Sequence, residues 1–192
     1  MLNLLDILFP QFCLQCKREG KIVCNDCLST IEIAEHLFCP FCAKPTVKCN
    51  KHKNKNLDGL FCACDANQFL VQKMLKKFTK TPYLKSLSYP LSSLIIAHIL
   101  LTENKSLFGE NSTIIPMPIS NKEKREIGYN PAEIIAKELT SFFKTKRNSS
   151  LETVFLVDCV FSDPSLFEEK AQALKEKGIK RVFGISVCRV HY

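Results

Sequence analysis

The spacing of the cysteines near the amino end constrains this chain more than any other feature. Four CxxC or CxxH pairs follow one another, formed by Cys13, Cys16, Cys24, Cys27, Cys39, Cys42, Cys49 and His52. Two residues between ligands let one tight turn direct both side chains at the same ion, and four such side chains complete a tetrahedral zinc site. The pattern predicts two closed structural zinc sites, one from the first four residues and one from the last four. Neither has an open ligand position, so neither is expected to be catalytic.

A disulfide framework is the alternative interpretation of these cysteines. It requires an oxidising compartment, but the amino end lacks the basic start, long apolar core and small-residue cleavage site of a signal peptide. Eleven cysteines would also leave one unpaired. We therefore expect a reduced, soluble, cytoplasmic protein with two structural Zn²⁺ ions as its cofactors.

Two further cysteines, Cys62 and Cys64, leave a second question open. Either could replace one of the eight zinc ligands. They also lie in an apolar run, residues 60–64, and a CxC in such a run is more often part of a buried strand. We favour the buried strand.

The net charge is basic, with a formal value of +8. Four thiolates around Zn²⁺ carry −2, and three thiolates with a neutral histidine carry −1, so zinc brings the sum to about +5. Two lysine clusters stand out: Lys44, Lys48, Lys51, Lys53 and Lys55, and then Lys73, Lys76, Lys77, Lys80 and Lys85. Such clusters suit polyanions such as nucleic acid, although solvated lysines with no partner explain them equally well.

The chain divides into a zinc-binding part and an α/β part. Residues 1–56 are predicted to form a double zinc ribbon with a short apolar amino-terminal helix over residues 2–9 and another helix over residues 28–36. The zinc part is too short and polar for a core of its own, so metal supplies its folding energy. The polar, Gly-terminated stretch at residues 51–59 is a natural boundary. No apolar run approaches the ~20 residues of a membrane span.

Residues 57–192 alternate between strand and helix patterns. Strands are predicted at residues 60–64, 112–116, 152–158 and 181–188. Helices are predicted at residues 67–78, 83–101 (interrupted by Pro90), 130–143 and 166–177, the last ending at Gly178. The helix at 67–78 should bury Phe69, Leu70, Met74, Leu75 and Phe78. Continuous apolar strands that alternate with helices predict an α/β fold with a parallel sheet.

Two segments carry a resemblance to a known family. The segment PMPISNKEKREIGYNPAE at residues 116–133 and the segment VFLVDCVFSDPS at residues 154–165 resemble PVPxS…RxRGFNQAE and VLLVDDVxTTGAT of the ComF family. ComF proteins are associated with competence, and combine a double zinc ribbon with a type I phosphoribosyltransferase domain. The first segment keeps Arg125, Gly128, Asn130 and Glu133, but has Ile127 for an arginine and Pro131 for a glutamine.

The second segment departs further from the family. In this fold it holds phosphoribosyl pyrophosphate, so the resemblance implies a substrate-binding loop at Asp158, Cys159, Ser162, Asp163, Pro164 and Ser165. Asp158 keeps the first acid, but Cys159 replaces the second. Asp163 places a carboxylate where a phosphate should bind, with about 4 kcal/mol of repulsion for unit charges 4 Å apart at a dielectric of 20. Pro164 replaces a glycine and removes an amide donor. No residue is assigned a catalytic role.

Two classes of function follow from this resemblance. The first is a non-catalytic protein that handles single-stranded DNA during uptake, with competence proteins as partners. Its ribbons have few aromatic residues for base stacking apart from Phe38 and Phe41. The alternative is an active or modified phosphoribosyltransferase of nucleotide metabolism, which would require Mg²⁺ to bind phosphoribosyl pyrophosphate. Magnesium-dependent binding of that substrate discriminates between them.

Overall fold

The computed structural model describes residues 10–80, 83–145 and 151–190. Its regular elements in chain order are α1 (Asn25–Leu28), β1 (Gly59–Asp65), α2 (Phe69–Thr79), α3 (Ser88–Leu101), β2 (Ser112–Pro116), α4 (Asn121–Ile127), α5 (Pro131–Phe143), β3 (Thr153–Val157), β4 (Val160–Phe161), α6 (Pro164–Lys175) and β5 (Arg181–Arg189). The amino-terminal helix predicted at residues 2–9 lies outside the described residues.

The strands of the described ranges form one parallel sheet in the order β1-β5-β3-β2. The short strand β4 follows β3 and pairs with the end of β5, where Val160 lies opposite Cys188. This arrangement confirms the predicted α/β fold, with a zinc-ribbon region preceding a parallel sheet flanked by helices. Every residue of β3 is buried, as expected for a central strand covered on both faces.

Two apolar clusters cover the two faces of the sheet. One contains side chains of α2, α3 and α5, and four of its phenylalanines pack together: Phe61, Phe108, Phe155 and Phe183. The other contains Phe167 and Ala171 of α6. Cys13, Val23, Cys27 and Ile31 of the zinc region belong to the first cluster. The first ribbon therefore packs into the same core as the sheet.

The helix predicted at residues 28–36 is wrong. Helix α1 ends at Leu28, and the chain continues to Phe38 as an irregular linker between the two ribbons. The backbone of the linker forms hydrogen bonds with β1 instead of the internal hydrogen bonds of a helix. The Ala34 N–H donates to the Ala63 carbonyl at 2.8 Å, and Phe38 and Leu60 exchange two backbone hydrogen bonds. Tertiary pairing with β1 replaces the helical bonds.

The helix predicted at residues 67–78 is confirmed as α2, but one of its proposed core residues is wrong. Phe69 is 60% exposed, whereas Val71 is fully buried. Phe69 is the first residue of the helix, at the edge of the apolar face.

The helix predicted at residues 83–101 begins later than expected, at Ser88, and forms α3. Pro90 lies in the first turn of α3, where proline is tolerated, and so does not interrupt the helix.

The sequence also contained signals for elements that were not predicted. Ser120 and Glu123 form a capping box that starts α4, and this S-x-x-E pattern is visible in the sequence.

Gly178, predicted as the glycine that ends a helix, has φ of 91°. This conformation allows the Ile179 N–H to reach the Leu174 carbonyl at 3.2 Å. Among the described helices, none combines the length and the apolar character that a membrane span requires.

Candidate metal centres and phosphate loop

The first cysteine cluster gathers four sulfur atoms around one point. The ligand atoms of Cys13, Cys16, Cys24 and Cys27 all lie within 4.8 Å of one another. The Cys16 and Cys24 sulfurs are 3.6 Å apart. A tetrahedral zinc ion with Zn–S bonds of 2.3 Å places its sulfurs about 3.8 Å apart. The cluster therefore fits a structural Cys₄ zinc site.

The second cluster has the same geometry with one nitrogen ligand. It consists of Cys39, Cys42, Cys49 and His52. The Nδ1 atom of His52 lies 3.5 Å from the sulfurs of both Cys39 and Cys49, close to the roughly 3.6 Å expected in a tetrahedral zinc site. The ring of His52 packs 5.4 Å from that of Phe41. Nδ1 is therefore the histidine atom that faces the metal position.

The protonation of the thiols shows why these clusters suit a cation. Burial raises the pKa of Cys13, but backbone N–H groups, led by that of Cys24, lower it to about 6. Hydrogen bonding with Cys24 and burial raise the pKa of Cys27 to about 12. Four adjacent thiols do not all ionise without a positive charge among them. A divalent cation supplies that charge.

The remaining cysteines are not part of either cluster. Cys62 and Cys64 lie in β1 and are each 2% exposed, so the predicted buried strand is confirmed. Burial raises the pKa of Cys62 to about 11 and that of Cys64 to about 12. All eleven cysteines lie in the described ranges, and none of them forms a disulfide.

The loop that resembles a phosphate-binding loop runs from β3 through β4 to the start of α6. Pro164 is the first residue of α6 and Asp163 is its N-cap. The Asp163 carboxylate accepts a hydrogen bond from the Ser165 N–H at 2.8 Å. A free N–H at a helix start is the group that binds phosphate in such loops. Here the protein's own carboxylate accepts it.

Asp158 and Cys159 lie at the opposite end of this segment from Pro164, immediately after the carboxyl end of β3. A cavity of about 220 Å³ there is also lined by Lys80, Glu123 and Asn130. Burial, aided by the charge of Glu123, raises the pKa of Asp158 to about 6. Cys159 is 3% exposed, and burial raises its pKa well above the ordinary value. A buried neutral thiol is a poor nucleophile.

Two aromatic side chains are exposed at positions that the sequence did not indicate, and one of them, Phe69, was predicted to be buried. Phe12 is 52% exposed and Phe69 is 60% exposed. The ammonium of Lys73 lies 4.0 Å from the centre of the Phe69 ring. The same ammonium donates to the Leu14 carbonyl of the first ribbon at 3.4 Å. An aromatic residue with a lysine four positions later on one helix face was the available signal.

Comparison with known families supports the metal assignment. Residues 4–65 match the family model of the double zinc ribbon domain. A comparison with curated proteins finds no match. The chain thus contains a double zinc ribbon whose two cysteine clusters bind structural zinc, which indicates a zinc-binding protein associated with nucleic acid.

Proposed function

We propose that this chain is a ComF-like protein that handles single-stranded DNA during DNA uptake. In this proposal the eight clustered residues are the zinc ligands, and residues 57–192 form a phosphoribosyltransferase-like domain that no longer binds phosphoribosyl pyrophosphate. The DNA contacts the zinc ribbons and the adjoining helix α2.

The observation that carries the DNA-binding part is the contact between Phe69, Lys73 and the first ribbon. Proteins that bind single strands without sequence preference combine cations that follow the backbone with aromatic faces on which bases stack. Phe69 is exposed and Lys73 lies beside it, against Leu14. A second pairing of this kind, Lys55 at 5.4 Å from the Phe41 ring, lies beside the second zinc site.

The loss of transferase activity is supported by the capping of α6. The Asp163 carboxylate binds the Ser165 N–H, and Pro164 provides no N–H of its own. A phosphate at this position would meet a negative charge and one fewer donor than the family loop provides. The family loop has two successive acids. This chain keeps the first as Asp158, and Cys159 occupies the position of the second.

Anisotropy of a labelled single-stranded oligonucleotide tests the DNA-binding part. We expect weak binding without sequence preference, and an affinity that falls as salt rises. Phe69→Ala should weaken binding by about 1–3 kcal/mol through lost stacking. Replacement of Lys51, Lys53 and Lys55 together by Glu should weaken it further. Absence of binding by the wild type at low salt would refute the proposal.

Matched controls separate a specific surface from general charge. Tyr89 is an exposed aromatic residue on α3, and Tyr89→Ala should leave binding unchanged. Replacement of Lys105, Lys170 and Lys177 by Glu makes the same change in net charge at exposed positions elsewhere. If this control triple weakens binding as much as the ribbon triple, the ribbon is not the binding surface.

A phosphoribosyltransferase with a rearranged pocket is the second candidate. The observation that favours it is the cavity at the carboxyl end of β3, where Asp158 lies with Asn130 and Lys80. Ligands of parallel α/β sheets bind at this end of the strands. Mg²⁺-dependent binding of phosphoribosyl pyrophosphate would favour this candidate over the first.

A further inference from the structure

Helix α3 is apolar on all sides, although the core covers only one side of it. Its 14 residues include no Asp, Glu, Lys or Arg. The buried side contributes Leu91, Leu94, Ile95 and Ile99 to the core cluster that α3 shares with α2 and α5. The other side follows a helical spacing and is half-buried or exposed at Tyr89, Ser93, Ile96 and Leu100. A helix that is apolar all round is normally covered on every side.

Helix α5 extends this uncovered surface. A groove of about 440 Å³ runs between α3 and α5, and Tyr89 and Phe142 on its walls are 73% and 49% exposed. Four of the nine large apolar side chains exposed in the described ranges lie on these two helices, whereas the other five are spread over five separate segments. Single exposed apolar residues need no partner, but a continuous apolar surface marks an interaction site. We call the surface formed by Tyr89, Ser93, Ala97, Leu100, Ser141 and Phe142 the α3–α5 face.

The α3–α5 face offers almost no charge to a partner. Of the described residues that line its groove, Glu138 alone is charged, and its carboxylate accepts the Ser88 hydroxyl at 3.5 Å. The adjacent Lys137 pairs with Glu133 at 3.3 Å. A nucleic acid or a strongly charged protein therefore finds no set of charges to pair with here. Two copies of the chain, each with a formal charge of +8, repel one another elsewhere but can approach through an uncharged surface.

The same face supplies both large side chains and a space that can receive them. Tyr89 and Phe142 are large and exposed, whereas Ser93, Ala97 and Ser141 in the groove are small. A two-fold interface uses the same patch on both copies, so one patch has to provide the inserted side chains and the space for them. We propose that the α3–α5 face joins two copies of this chain in a two-fold dimer, in which aromatic side chains of each copy enter the groove of the other.

The size of the face sets the expected strength of the dimer. Helix α3, with 14 residues at 1.5 Å each, is about 21 Å long, and two helices side by side are about 20 Å wide, which gives roughly 400 Å² on each copy. A standard interface buries about 800 Å² on each partner. The dimer should therefore be weak and reversible, with a dissociation constant of about 10–100 μM.

Sedimentation velocity of the full-length, zinc-loaded protein between about 1 and 300 μM tests the proposal. We expect a shift from monomer to dimer across this range. Association should strengthen as salt rises, because salt screens the repulsion between the two basic copies, whereas binding to DNA should weaken. Phe142→Glu and Tyr89→Glu each place an unpaired charge in the interface, and each should raise the dissociation constant at least about tenfold.

Leu166→Glu is the matched control. Leu166 is an exposed apolar residue of α6, which covers the opposite face of the sheet, and the substitution makes the same change in net charge. It should dimerise as the wild type does. If one of the two Glu variants of the α3–α5 face does not fold, the other decides.

Three results would overturn the proposal. The first is a wild type that stays monomeric up to about 300 μM. The second is wild-type association in the folded Glu variants of the α3–α5 face, and the third is equal weakening by Leu166→Glu. If the wild type is monomeric but a variant without residues 1–9 dimerises, the amino-terminal segment occupies the α3–α5 face in place of a second copy, and the proposal is likewise overturned.

Discussion

Glu168 of α6 binds the backbone of Leu57, since its Oε2 atom accepts the Leu57 N–H at 3.0 Å. Its other oxygen accepts both the backbone and the side-chain N–H of Asn56, at 2.9 and 3.0 Å. These residues lie at the boundary predicted between the zinc part and the α/β part. One carboxylate therefore fixes the segment through which the second ribbon leads into β1.

Loss of this carboxylate should destabilise the protein. Glu168→Ala leaves part-buried N–H groups of Asn56 and Leu57 without an acceptor, and we expect the free energy of unfolding to fall by about 2–3 kcal/mol. Urea unfolding of the zinc-loaded protein measures this. Glu169→Ala, which removes the neighbouring exposed carboxylate, is the control and should have little effect. Equal effects of the two substitutions would show that the Glu168 bonds contribute nothing specific.

Metal content tests the two zinc sites separately. The wild type should bind two Zn²⁺ ions per chain, and Cys24→Ser and Cys39→Ser should each remove one. Cys62→Ala should retain both, because Cys62 belongs to neither cluster. Elemental analysis of reduced protein gives the stoichiometry. One zinc ion or none in the wild type would contradict the assignment, and loss of zinc in Cys62→Ala would make Cys62 a ligand.

The pKa of Asp158 predicts a pH-dependent stability. Burial raises it from 3.8 to about 6, so the folded state binds a proton more tightly than the unfolded state does. The stability contribution of Asp158 is therefore most favourable below pH 4 and falls as pH rises toward 6. Asp158→Asn should be more stable than the wild type at pH 7, by about 2–3 kcal/mol. This difference should vanish near pH 4.

Unfolding of both proteins across pH 4 to 7 checks this prediction. The quantity compared is the difference in free energy of unfolding between the wild type and Asp158→Asn, because loss of zinc at low pH affects the two proteins equally. A difference that does not change with pH would show that Asp158 has an ordinary pKa.

Local patterns in the sequence were enough to predict the zinc clusters and most of the sheet. The ligand pairs depend on tight turns, and residues 112–116 form a strand with an apolar run, so both are encoded over a few residues. The linker after Leu28 was missed because its bonds go to Ala63 and Leu60, far along the chain.

We propose that the loop after β3 no longer binds phosphoribosyl pyrophosphate, and calorimetric titration of the wild type in the presence of Mg²⁺ tests this proposal. We expect no binding heat from the wild type. Asp163→Thr with Pro164→Gly returns a hydroxyl and an amide donor and removes the repulsive charge, and Cys159→Asp returns the second acid. This triple variant should gain binding. Micromolar binding to the wild type would refute this proposal and would favour an active phosphoribosyltransferase.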